Sequence, residues 1–144
     1  MMTPNHEETM TQPLTTDALI EQRVAALVGR AVRRQLWFLF LDDDHVQLPL
    51  VMPFSDPPLT PDASVSTLAS VIRLAMESEN ASSVVVVIER YADAMLSDAD
   101  KKWARAIIGA CEKREVVVRA MLVSHRSGVR WFAQDDYGAP TTVV

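Results

Sequence analysis

Hydrophobic positions along this chain change period several times, and each change marks an element. Leu19, Ile20, Val24, Leu27, Val28 and Ala31 recur at helical spacing, behind Thr15 or Thr16 as cap and with Asp17 and Glu21 in the first turns. That stripe faces a core or a partner. The pattern then becomes continuous over Leu36–Leu41, a strand, and alternates at Val46, Leu48, Leu50 and Met52, a second strand. Asp42, Asp43, Asp44 and His45 fall between the two and predict a hairpin turn. The stretch Pro53–Pro61 also holds Pro57 and Pro58 and reads as a loop.

Helical spacing returns from Thr60 and Asp62 to about Ser78, with Val65, Leu68, Ala69, Ile72, Ala75 and Met76 on one side. Asn80 and Ala81 turn the chain into Ser83–Ile88, its most hydrophobic strand. A third helix starts at Ser97 and buries Trp103, Ala104, Ile107, Ile108 and Cys111. Glu115–Val123 reads as the next strand, Arg126-Ser127-Gly128 as a turn, and Val129–Ala133 as a short last strand. The order α, β, β, α, β, α, β, β predicts one α/β domain, a mixed β-sheet flanked by helices in two or three layers. We expect that domain over residues 15–138, a disordered tail over 1–14, and a loose tail over 139–144.

Composition narrows the function classes. The 144 residues can bury an ordinary core, and 49% hydrophobic with 23% charged residues is normal for a soluble domain. The net charge of −5 opposes non-specific nucleic-acid binding. Arg30, Arg33 and Arg34 are the local exception. They read as the solvated end of the first helix, complementing its dipole, with a phosphate-binding patch as the other reading. A lone cysteine, Cys111, excludes an internal disulfide and reads as a small core residue. No run reaches membrane-spanning length, and the first residues lack the basic and apolar regions of a signal peptide. A cytoplasmic location is the expectation.

Candidate chemistry is sparse. A strand set between two helices often delivers catalytic groups at its C-terminal end. Here that delivery is Glu89, Arg90, Tyr91, Ala92 and Asp93. Glu89 and Asp93 could act as an acid–base pair, but solvated loop charges are the simpler reading. Asp42, Asp43, Asp44 and His45 could hold a hard cation, yet they lie where a hairpin needs turn residues. Asp100 follows Ser97 at the spacing of a capping box. Ser124 and His125 are strand neighbours, so they point to opposite faces and form no nucleophile–base pair. Trp131, Phe132 and Tyr137, with Arg126 and Arg130, read as core and edge packing rather than a base-stacking surface.

In this order the elements resemble a known family. The segments "LWFLFLDDDHVQLPLVM" (36–52), "ENASSVVVVI" (79–88), "LSDADKKWARAIIGACEKREVVVRAMLVS" (96–124) and "GVRWFAQDDYG" (128–138) are similar to the hairpin, central strand, helix and closing strand of RadC-like JAB/MPN domains. The resemblance implies a JAB/MPN, cytidine-deaminase-like architecture. Zinc-binding members carry His-x-His-Pro-Ser-Gly after the central strand, where this chain has Glu89-Arg90-Tyr91-Ala92-Asp93-Ala94. The family's Glu before the first strand is matched by about Arg34, and only the Asp of Ser-x-x-Asp is kept, as Asp100. Zinc needs three protein ligands and an open position. The resemblance therefore implies a divergent member without zinc, a pseudoenzyme.

The resulting expectation is a non-catalytic interaction or scaffold protein with no cofactor. Its expected partner is a second copy, as a homodimer, or another protein, with neither membrane nor nucleic acid. The first helix and the hairpin offer the apolar surfaces. The alternative is a hydrolase using Glu89, Asp93 and Asp100 with a divalent ion, for which Asp42, Asp44 and His45 are further candidate ligands.

Overall fold

The computed structural model describes residues 12–132. Three helices, α1 (Asp17–Leu27), α2 (Ser64–Glu79) and α3 (Asp98–Lys113), join five strands. These are β1 (Gln35–Leu41), β2 (Gln47–Ser55), β3 (Ser83–Glu89), β4 (Val118–His125) and β5 (Gly128–Trp131). They form one sheet in the order β2-β1-β3-β4-β5. The β3–β4 pair is parallel and the other pairs are antiparallel. The expected single α/β domain with a mixed sheet is therefore present, and it has three layers.

Strand alternation sends side chains to both faces, and each face has its own core. Leu36, Phe38, Phe40, Val84, Val86 and Ile88 pack against α2 and α3, with Trp103 and Ile107 at the centre. Leu39, Leu41, Val85, Val87, Ala120 and Leu122 pack against Ile20 and Val24 of α1. This two-sided burial explains why the valine strand carries no polar alternation. It also corrects one expectation. The apolar face of α1 lies inside the chain's own core and is not a free association surface.

Several boundaries differ from the sequence reading. Thr16 caps α1 as expected, its Oγ1 accepting from the Leu19 amide at 3.2 Å. The helix stops at Leu27, because Gly29 turns left-handed (φ 67°), so Arg30, Arg33 and Arg34 lie beyond it in a linker. Leu14, assigned to the leading tail, is buried and donates its amide to the His45 carbonyl at 2.8 Å. Strand β2 continues through Pro53 to Ser55; Pro49 and Pro53 are tolerated because β2 is an edge strand. Strand β4 starts at Val118 rather than Glu115. Glu115 adopts φ 58° and the Val116 amide bonds back to the Cys111 carbonyl, which closes α3. The last strand begins at Gly128 and ends at Trp131. Tyr137, Ala133 and the tails 1–11 and 133–144 lie outside the described residues. No helix among the described residues is long and apolar enough to cross a membrane.

Candidate functional site

The C-terminal ends of β3 and β4, where the sequence places its candidate chemistry, are filled by charged side chains turned inward. Glu89 is 2% exposed and Arg90 7%, which overturns their reading as solvated loop charges. Glu89 is the last residue of β3 and shares the α1 face with Val85 and Val87. Its Oε2 accepts from the Val32 and Arg33 amides at 2.8 and 3.2 Å. Its Oε1 accepts from Gln35 Nε2 and Trp37 Nε1, both at 2.9 Å. Burial pushes the carboxyl's pKa up, but these four donors outweigh it and hold the group below its ordinary 4.5. Glu89 is thus a buried anchor that fixes the α1–β1 linker across the sheet end.

Arg90 turns to the opposite face. Its Nε lies 3.0 and 2.9 Å from the two oxygens of Asp100, and Nη2 lies 2.9 Å from Oδ2. The remaining donors close the loop before α3: Nη1 bonds the Asp93 carbonyl at 2.9 Å and Nη2 the Met95 carbonyl at 2.8 Å. Asp100 is committed a second time, as the expected capping box with Ser97. The Asp93 carboxylate accepts from the Met95 amide at 3.1 Å, shaping the same loop.

The sequence-predicted carboxylates are therefore not brought together. Glu89 belongs to the α1 face and Asp100 to the α3 face, with the sheet between them. Asp42, Asp44 and His45 lie at the other end of the sheet, since Leu41 pairs with Ser83 whereas Gln35 pairs with Glu89. There Asp42 Oδ1 accepts from the Asp44 and Val46 amides at 2.8 and 3.0 Å, and His45 takes φ 64°, which is turn chemistry. Asp43 bonds the Ser82 hydroxyl. Among the described residues no three His, Cys, Asp or Glu side chains are grouped to hold a metal ion. The zinc implied by the family resemblance does not fit: both oxygens of Asp100 face a guanidinium, and the other ligand positions carry Glu89-to-Ala94.

Ser124 and His125 diverge as strand neighbours should. Ser124 Oγ donates to the Gly29 carbonyl at 2.6 Å, on the α1 side. His125 Nδ1 accepts from the Ser127 amide at 3.2 Å. Burial, then the nearby Arg90 and Arg130, lower the imidazole's pKa, against a smaller opposing pull from Asp93. The Cys111 thiol is buried in the α3 core, which raises its pKa to about 11.

Two features escaped the sequence reading. Arg23, on the α1 face, is 3% exposed; its Nη1 bonds Gln47 Oε1 at 2.7 Å and burial lowers its pKa. Gln35 and Trp37, spaced by two on β1, reach Glu89 because β1 runs antiparallel beside β3. That period-two spacing was visible, but the strand pairing was not. No protein-family model matches the chain, and no curated protein matches it in sequence.

Proposed function

We propose that this chain is a non-catalytic, self-associating interaction protein, a divergent relative of RadC-like JAB/MPN domains without a metal centre. One observation carries the reading. Each carboxylate at the sheet end where such a scaffold keeps its reactive groups is spent on internal structure. A general acid or base needs a proton-transfer partner within reach, and a metal ligand needs a free lone pair. Glu89 has four donors on two oxygens and Asp100 is paired with Arg90, so neither offers one. The order of elements supports the resemblance, and the guanidinium of Arg90 supplies beside Asp100 the positive charge that a cation would otherwise bring.

Two measurements test this. Light scattering after size exclusion gives the mass at high micromolar concentration; association supports the reading, and a strict monomer of 16.0 kDa overturns it. Elemental analysis and divalent-ion titration followed by melting temperature test the metal. Stoichiometric metal, or a rise of several degrees on titration, would return the hydrolase alternative.

A further inference from the structure

We propose that copies of this chain associate head to tail, the basic sheet end of one copy receiving the acidic hairpin tip of the next. This rests on the self-association reading above and names its surfaces. The sheet end over Glu89 carries Arg30, Arg33 and Arg126, all exposed and without an ion pair among the described residues. They surround exposed apolar side chains: Val32 at 72%, Tyr91 at 67% and Met95 at 75%. Backbone contacts hold this patch in one place. The Val32 and Arg33 amides bond Glu89, the Arg126 amide bonds the Ala92 carbonyl at 2.9 Å, and Arg90 holds the Met95 carbonyl. An apolar centre ringed by cations is the composition of an interface waiting for an anionic partner.

This chain itself has a surface of the opposite sign. The hairpin tip at the other end of the sheet exposes Asp43 and Asp44 beside an open depression of about 540 Å³, with Glu77 on its wall. In a protein of net charge −5, basic and acidic groups are thus sorted to opposite ends of the same strands. Such a heterologous contact leaves one free end of each kind on every assembly, so it does not close on itself as a dimer. Because exposed charges carry it, it weakens with salt.

Charge reversal at each end tests it. The pairs are Arg33→Glu with Arg126→Glu, and Asp43→Lys with Asp44→Lys, each checked for folding by circular dichroism and melting. At about 50 mM salt the wild-type mass rises with concentration beyond two chains, and it falls to one chain at about 500 mM. Each double variant alone stays at one chain. Their equimolar mixture gives a species of two chains that grows no further, because one intact basic end meets one intact acidic tip. If the wild type associates but either variant does so equally well, or if the folded variants fail to pair when mixed, the head-to-tail contact is wrong while self-association stands. If the wild type stays at one chain throughout, both proposals fall.

Discussion

The Arg90 guanidinium and the Asp100 carboxylate meet two atoms to two, with Nε 3.0 Å from Oδ1 and Nη2 2.9 Å from Oδ2, in a site almost closed to water. Breaking such a pair strands one buried charge. Arg90→Met or Asp100→Asn alone is expected to destabilise the fold by about 3–5 kcal/mol. The combined Arg90→Met/Asp100→Leu variant strands neither, so its cost is smaller than the two losses added. Urea unfolding of the single and double variants gives the coupling directly, and an additive cycle would show that the pair contributes nothing.

Glu89 sits among four donors and no acceptor. A glutamine there turns an amide NH₂ toward other N–H groups, so Glu89→Gln is expected to cost about 1–3 kcal/mol. The pH dependence has a definite sign. Because the folded carboxyl ionises below its ordinary 4.5, its contribution is fully present above about pH 4.5 and is lost as pH falls through the lower folded value. Unfolding free energies from pH 6 down to about pH 3 should fall less steeply in Glu89→Gln than in the wild type.

His125 acts in a higher window. Its imidazole is held neutral by burial and by Arg90 and Arg130, and Nδ1 must stay unprotonated to accept from the Ser127 amide. The unfolded chain takes up a proton near 6.5, before the folded one does. Stability is therefore full above about pH 6.5 and declines below it, down to the lowered folded value. In His125→Gln this slope between pH 7 and 5 should be reduced. An unchanged slope would place the titrating group elsewhere.

Cys111 is fully buried and its pKa is raised to about 11, so almost no thiolate exists near neutral pH. A chromogenic disulfide reagent should react with the native protein only at the rate of opening, and at once in denaturant. Fast stoichiometric labelling of the native state would contradict the packing of α3.

The order of elements was legible because each carries its own period: 3.6 along α2 and α3, and unbroken apolarity along β1 and β3. Boundaries failed where one residue's backbone decided them. Gly29 ends α1 ahead of three arginines that would suit a helix terminus, and Glu115 in the left-handed region delays β4 until Val118. Asp42 and the Ser97–Asp100 box were readable, since their partners lie within four residues. Glu89 was not. Its donors come from residues more than fifty positions away, and a local window sees only a charged pair at a strand end. Interior salt bridges and anchors of this kind become visible only once strand pairing is known.

The two prolines of β2 reach beyond their own loop. With Pro49 and Pro53, this border of the sheet lacks two of the amide donors that an incoming strand would need. Zipper-like growth and fibril seeding are discouraged along that flank, even though the strand is rich in leucine, valine and methionine. Such a chain can be kept concentrated in water without its most apolar margin templating its neighbours.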